Sequence, residues 1–128
     1  MKLLLDTHVL LWAAGAAERL PDEARMLLED PETQPVVSVA SLWEVAIKSS
    51  IGRPDFQCDP HLLRRGLLEN GYAELAVNGA HAVAVALLPQ LHKDPFDRLL
   101  VAQAQVEGIT LLTADEAVGR YPGPIRLL

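Results

Sequence analysis

Short apolar runs alternate with longer segments whose apolar residues recur at helical spacing, along the whole 128-residue chain. Proline, glycine, Asp-Pro and Asn-Gly mark the ends of these segments. The pattern predicts strands over 2–5, 35–39, 72–77, 109–112 and 125–127. It predicts helices over 7–15, 21–30, 41–50, 59–69, 79–88, 94–107 and 115–119. Because strands and helices alternate along the chain, we expect an α/β sandwich around a mostly parallel sheet of four or five strands.

Four carboxylates stand at comparable places in this pattern: Asp6, Glu44, Asp97 and Asp115. Three lie where an apolar strand ends or a helix begins, and Glu44 lies in the first turns of a helix. If the strands are neighbours in one parallel sheet, the acids meet at its carboxyl edge, where open α/β sheets bind ligands. Gathered anions repel one another and need a cation, and oxygen ligands favour Mg²⁺ or Mn²⁺ over zinc.

Each acid also has a purely structural interpretation. Asp6 or the following Thr7 is a suitable N-cap for the first helix. Ser41-x-x-Glu44 matches a capping box, in which the glutamate bonds back to the cap amide. These two acids could therefore stabilise helices without any role in a site.

The same alternative applies to the later acids. Asp94 is a suitable N-cap, which places Asp97 in the first turn, where a negative charge is favourable without a metal. Asp94 and Arg98 also have the spacing of an ion pair on one helix face. A capping box ending at Glu116 would leave Asp115 as merely a first-turn acid. The joint placement of the four acids slightly favours a shared metal site.

Composition limits the other possibilities. The net charge of −6 argues against broad nucleic-acid binding, but divalent cations in an acidic cleft would offset it. The single cysteine, Cys58, excludes an internal disulfide and multi-cysteine metal motifs. Asp6 and His8 interrupt the apolar N-terminus, so we expect neither a signal peptide nor a membrane span, and a cytoplasmic protein.

No other catalytic motif stands out. The serines lack a nucleophile elbow, and neither common glycine-rich phosphate loop occurs. His8 and His92 lie near Asp6 and Asp94 in the sequence and could touch a substrate or cap a helix. A lone histidine is more often a surface or packing residue, so the sequence assigns neither a role.

Three segments resemble a known family: LLLDTHVLLW, VVSVASLWEVAIKSSIG and LPQLHKDPFDRLLVAQAQVEGITLLTADEAVGRY. They are similar to PIN-domain ribonucleases, specifically the VapC toxins of type II toxin–antitoxin systems. The resemblance runs through nearly the whole chain, and HKDPFDRLLVAQA followed by TADE is its most specific part. It departs at 53–56, where relatives have a Gly-Lys-Leu-like run, which leaves the role of the 52–58 loop open.

The resemblance implies a single PIN domain over 1–128, with a Rossmann-like three-layer α/β/α fold. It implies an endoribonuclease that uses Mg²⁺ or Mn²⁺ to activate the attacking water, binds a cognate antitoxin protein and forms a homodimer. The family's acids fall on Asp6, Glu44, Asp97 and Asp115, as catalytic residues and metal ligands. Supporting positions fall on Thr7, Asp94, Arg98 and Thr113.

Two other functions fit parts of the sequence. A phospho-accepting receiver domain has a similar length and α/β alternation, but it needs adjacent acids after the first strand and a late lysine, which this chain lacks. A partner-binding module whose acids only cap helices is the other alternative. Loss of metal-dependent RNA cleavage on replacing Asp97 by asparagine would distinguish a nuclease from both.

Overall fold

The computed structural model describes residues 1–128 and places five strands in one sheet. The strands are β1 (Lys2–Leu5), β2 (Gln34–Ser38), β3 (Ala73–Leu75), β4 (Thr110–Thr113) and β5 (Ile125–Leu127). All pairings are parallel, with Leu4 opposite Val36 on one side and Leu111 on the other. The predicted α/β sheet is confirmed, and it is wholly rather than mostly parallel.

The strand order is β3-β2-β1-β4-β5, so the first strand lies at the centre of the sheet. Receiver domains of the CheY type have the order 2-1-3-4-5 instead. The topology therefore argues against the receiver-domain alternative. It also places the ends of β1 and β4, with the acids that follow them, side by side at one edge.

Seven helices connect and cover the strands. They are α1 (Thr7–Gly15), α2 (Asp22–Glu29), α3 (Val39–Ser50), α4 (Pro60–Glu69), α5 (Gly79–Ala84), α6 (Pro95–Glu107) and α7 (Glu116–Gly119). Single 3₁₀ turns occur at Ala17–Arg19, Pro54–Phe56 and Val85–Leu87. None of the helices combines the length and the apolar character that a membrane span requires.

The sheet separates two apolar cores. Leu3 and Leu5 of β1 point to the side covered by α1 and α4, where Phe56 is fully buried. Leu4 points to the opposite side, where it packs with Leu100 of α6. Because both faces are covered, β1 is apolar at every position after Lys2 rather than alternating. The expected three-layer arrangement is confirmed.

Several predicted boundaries were wrong by a few residues. β2 ends at Ser38, whose side chain caps α3, so the predicted Ser41–Glu44 capping box does not form. Asp6, not Thr7, caps α1. The third strand is shorter than predicted, and the helix predicted over 79–88 ends as a 3₁₀ turn. Side-chain hydrogen bonds across the fold decided these ends, and a single sequence does not show them.

Candidate active site

Five acids gather at the carboxyl edge of the sheet. Asp6 follows β1 directly, and Asp115 follows β4 after one residue. Glu44 comes from the second turn of α3, while Asp94 and Asp97 come from the start of α6. A cavity of about 320 Å³ lies between them. We call this the acidic cleft; its lining includes Asp6, His8, Trp12, Glu44, Lys48, Arg53, His92, Asp94, Asp97 and Asp115.

Asp6 lies at the floor of the acidic cleft and is only 5% exposed. Its Oδ1 accepts the amide of Val9 at 3.0 Å, which caps α1. Its Oδ2 accepts the hydroxyl of Thr113 from the end of β4. Burial raises the pKa of Asp6, although both hydrogen bonds oppose the shift. The capping interpretation of Asp6 is therefore correct, and the same carboxylate also lines the cleft.

Glu44 is held by partners from two helices. Its Oε1 accepts the hydroxyl of Thr7 at 2.6 Å, and its Oε2 contacts Lys48 Nζ at 2.5 Å. Only 2% of Glu44 is exposed. Thr7, predicted as a supporting residue, thus fixes the glutamate from the first turn of α1. Lys48 is not among the residues predicted for the site, although its i,i+4 spacing from Glu44 is a signal that the sequence offers.

Asp94 shapes the opposite wall of the cleft. Its Oδ1 caps α6 by accepting the amides of Phe96 and Asp97, as predicted. Its Oδ2 lies 3.4 Å from Lys48 Nζ. Lys48 therefore bridges Glu44 and Asp94. Burial opposes its charge, but these two carboxylates raise the pKa of the lysine above its ordinary value.

His92 contacts two of the predicted acids. The sequence alone indicated no role for this histidine. Its Nε2 lies 3.2 Å from Asp97 Oδ2 and 3.1 Å from Asp115 Oδ2. Its Nδ1 accepts the backbone amide of Asp94 at 3.0 Å. A ring nitrogen that accepts carries no proton, so the proton of the neutral imidazole is on Nε2. His92 therefore donates to Asp115, and Asp97 Oδ2 lies close to the same nitrogen.

The two acids beside His92 have opposite pKa shifts. Burial, together with the charges of Asp94, Glu44 and Asp6, raises the pKa of Asp97 to about 7. Burial alone would raise the pKa of Asp115 as well. The hydrogen bonds from His92 and from two backbone amides of α7 outweigh it, so this pKa is lowered. Asp97 thus experiences most of the repulsion in the cleft.

The sequence predicted an ion pair between Arg98 and Asp94, and this prediction was wrong. Its buried guanidinium donates to the carbonyl oxygens of Val85 and Pro89 and to the hydroxyl of Tyr121. The Tyr121 hydroxyl also accepts the amide of His92. Arg98 therefore anchors the loop that carries His92, and it does not contact the acids.

The donor set fits a hard divalent cation. Carboxylate oxygens are the ligands that Mg²⁺ and Mn²⁺ prefer, and Asp6, Asp97 and Asp115 converge without a lysine or arginine partner. Burial raises the pKa of Asp97, and crowding by carboxylates without a compensating cation raises it further. The ligand atoms of His92, Asp97 and Asp115 lie within 4.8 Å of one another. Because His92 Nε2 carries its proton, the carboxylates are the better ligands.

The comparisons with known proteins identify a family and a fold. The model of the PIN domain family matches residues 3–124. Ribonuclease VapC22 of Mycobacterium tuberculosis is 29% identical over 125 residues, covering 96% of this chain and 95% of that protein.

Solved structures show the same fold. In the crystal structure of VapBC2 from Rickettsia felis bound to a promoter DNA fragment, the similar chain has a TM-score of 0.73 at 18% identity, and the match covers 99% of this chain and 98% of that one. Mycobacterium tuberculosis VapC20, described as a sarcin–ricin loop cleaving toxin, has a TM-score of 0.64 at 12% identity, with 94% and 96% covered. With its parallel sheet, its acidic cleft and the family match over almost its whole length, this chain belongs to the PIN domain family.

Proposed function

We propose that this chain is a metal-dependent endoribonuclease that acts as the toxin of a toxin–antitoxin pair. The observation that carries this proposal is the convergence of Asp6, Glu44, Asp97 and Asp115 on one cleft at the carboxyl edge of the sheet. Membership of the PIN domain family and the similarity to a ribonuclease of the VapC type support it. The whole of residues 1–128 would act as one domain.

Asp6, Asp97 and Asp115 would hold Mg²⁺ or Mn²⁺, and Glu44 would complete the site or orient the attacking water. Thr7, Asp94 and Thr113 would support these acids. When bound, such an ion polarises a phosphate oxygen and lowers the pKa of a bound water. The side chains of the cleft are already oriented for this task. Asp6 is fixed by the amide of Val9 and the hydroxyl of Thr113, and Glu44 is fixed by Thr7 and Lys48.

Water is the proposed nucleophile, and the products carry a 5′-phosphate and a 3′-hydroxyl. No serine, threonine or cysteine side chain lines the acidic cleft, so no hydroxyl or thiol of the chain is placed for attack. Arg53 lies at the exposed rim, where its guanidinium can bind a neighbouring phosphate of the RNA. The 52–58 loop would thus contribute to RNA binding.

A cognate antitoxin is the expected protein partner, because the structural neighbours include VapBC toxin–antitoxin structures. A second cavity of about 600 Å³ offers a surface for it. This apolar groove lies between α1 and α4, away from the acids of β4 and α6, and its lining includes Leu11, Leu63 and Leu67. Leu62, which also lines this groove, is 56% exposed, so the groove presents apolar surface that a partner could cover.

The chain is also proposed to form a homodimer. Val83 and Leu87 form an exposed apolar pair at the end of α5, and Leu87 is 89% exposed. Replacing Leu87 by aspartate should convert a dimer to a monomer, as measured by size-exclusion chromatography with light scattering. An unchanged mass would place the dimer contact elsewhere.

The direct test of the nuclease is cleavage of a structured RNA pool by the purified chain. We expect cuts with 5′-phosphate ends in Mg²⁺ or Mn²⁺, none with EDTA, and none by Asp97→Asn. The control is Asp22→Asn, which makes the same acid-to-amide change on the exposed side of α2.

The control variant should cleave like the wild type. Equal cutting by Asp97→Asn would indicate a contaminating nuclease and contradict the proposal. If the folded wild type cuts no RNA of a varied pool, the partner-binding module becomes the better account.

A further inference from the structure

Lys48 is a permanent cation inside the acidic cleft. Only 14% of its side chain is exposed, and Nζ contacts Glu44 Oε2 at 2.5 Å and Asp94 Oδ2 at 3.4 Å. The ammonium also lies 4.8 Å from the centre of the Phe56 ring and 5.5 Å from that of Phe96. Two carboxylates and two aromatic faces thus hold the charge in one place.

Lys48 divides the acids of the cleft into two groups, one with a cationic partner and one without. Glu44 and Asp94 share the ammonium, so each has a cationic partner. Asp6, Asp97 and Asp115 have no lysine or arginine within ion-pair distance. The only side chain within ion-pair distance of Asp97 and Asp115 is His92. In its neutral form this histidine supplies a proton but no full charge.

A divalent cation and an ammonium compete for the same oxygens. Mg²⁺ binds carboxylate oxygens at about 2.0–2.1 Å and demands near-octahedral geometry. Glu44 Oε2 lies 2.5 Å from Nζ, so a divalent ion bound at this oxygen would lie beside a full positive charge that repels it. A second ion at Glu44 would have to displace the lysine, which is anchored on the same helix.

We propose that Lys48 takes the place of a second divalent cation, so that the cleft binds one divalent ion, at Asp6, Asp97 and Asp115. This inference rests on the proposed metal-dependent function and specifies how many metal ions each chain binds. Lys48 is then a positioning residue, which holds Glu44 and neutralises its half of the cleft. Glu44 orients water or substrate from outside the direct ligands of the ion.

The experiment counts Mn²⁺ bound by the isolated, metal-free chain, with isothermal titration calorimetry and electron paramagnetic resonance. We expect one ion per wild-type chain and two per Lys48→Met chain. Methionine keeps the length and the apolar contacts with the two phenylalanines while it removes the charge. Lys48→Arg keeps the charge and should still bind one ion.

Lys93→Met is the matched control, because Lys93 lies in the loop beside the cleft, is exposed and forms no ion pair. It should bind one ion. Thermal unfolding of all variants establishes that they are folded, and Lys48→Arg provides the comparison if the methionine variant does not fold. In that case, two ions bound by the arginine variant would contradict the proposal.

The outcomes separate this inference from the proposed function. Two ions in the wild type, or one in both the wild type and Lys48→Met, would overturn the role of Lys48 and leave the metal-dependent nuclease intact. Unchanged stoichiometry with weaker RNA binding by Lys48→Met would assign the lysine to phosphate instead. No Mn²⁺ binding by any variant would contradict the proposed metal site itself.

Discussion

Two polar clusters lie along α6, and they differ in how their polar groups are compensated. The acidic cleft surrounds the first turn of the helix. The second cluster, which we call the Gln103 cluster, comprises Ser38, His81, Gln103 and Glu107. Both link α6 to the loops and helices at the edge of the sheet. Only the acidic cleft concentrates like charges.

The Gln103 cluster is satisfied by complementary hydrogen bonds. The Ser38 hydroxyl donates to Gln103 Oε1 at 2.5 Å, and Gln103 Nε2 donates to the carbonyl oxygen of Ala76 at 3.3 Å. His81 Nδ1 accepts the amide of Asn78, so Nε2 donates to Glu107 at 2.9 Å. Each donor faces an acceptor, which is the usual requirement for polar groups in a core.

In the acidic cleft the groups also have hydrogen-bond partners, and no buried side-chain atom is left without one. The carboxylates nevertheless remain crowded: burial raises the pKa of Asp97, and the charges of Asp94, Glu44 and Asp6 raise it further. A buried polar cluster therefore has two separate requirements: hydrogen-bond partners for its polar atoms and balanced charge. The Gln103 cluster meets the first requirement and contains a single acid, the exposed Glu107, so it serves the fold. The cleft retains an imbalance that a cation can relieve.

The strongest test of this difference is Asp97→Asn, which should change activity and stability in opposite directions. RNA cleavage should fall by more than about 100-fold, because even outer partners of metal ligands are worth about 10–100-fold. Removing a repelled carboxylate should raise the free energy of unfolding at pH 8 in EDTA. Chemical denaturation measures it, and a clear loss of stability would contradict the proposed imbalance.

The reverse result is expected for Gln103→Leu. The substitution leaves the buried Ser38 hydroxyl without its acceptor and should lower the free energy of unfolding by about 1–3 kcal/mol. Cleavage per folded molecule should stay within about twofold at low temperature, because Gln103 touches no acid of the cleft. Gln90→Leu, at an exposed glutamine, is the control and should leave stability nearly unchanged.

Stability in EDTA should also depend on pH through Asp97. Its pKa is about 7 in the folded chain and near the ordinary aspartate value of 3.8 when unfolded, so the folded state binds more protons between these values. The free energy of unfolding should therefore fall as pH rises from 5 to 7 and level off above. We expect a fall of about 1–2 kcal/mol from this group.

Denaturation curves at pH 5, 6, 7 and 8 measure this dependence, and Asp97→Asn isolates it from other groups. The variant should show a flatter profile than the wild type. Equal slopes would mean that Asp97 is ionised throughout this range. Saturating Mn²⁺ should flatten the wild-type profile too, because a bound cation favours the ionised carboxylate.

The smallest effect is expected for His92→Ala on metal affinity. His92 donates from Nε2 and is not proposed as a ligand, so the Mn²⁺ affinity should change by no more than about threefold. Asp115→Ala, which removes a proposed ligand, should weaken it by more than about tenfold. Calorimetry at pH 8 provides both values. A loss above tenfold in His92→Ala would make the histidine a ligand.

The sequence was sufficient for the parts of the fold that depend on local pattern. The apolar run at 2–5 predicted a strand buried on both faces, and Asp94-Pro95 predicted the start of α6. The four acids were also identifiable, because strand ends and helix starts alternate regularly along the chain. Hydrophobic periodicity and backbone chemistry are local properties, so they can be read without knowing which segments touch.

Other features depended on contacts between residues distant in sequence. Ser38 became the cap of α3 while it donates to Gln103, 65 positions away. Arg98 does not pair with Asp94 and instead donates to the carbonyl groups of the loop before α6. Similarly, His92 showed no motif of its own, and its role follows from the approach of α7 to α6.

By itself, the sequence determined the α/β alternation and the acids available for a cation. The tertiary structure alone decided how their charge is compensated: Lys48 stands between Glu44 and Asp94, while Asp6, Asp97 and Asp115 face one another. The physical reason is that electrostatic energy depends on distances across the fold. Those distances are set by how the helices pack on the sheet, and no local pattern encodes them.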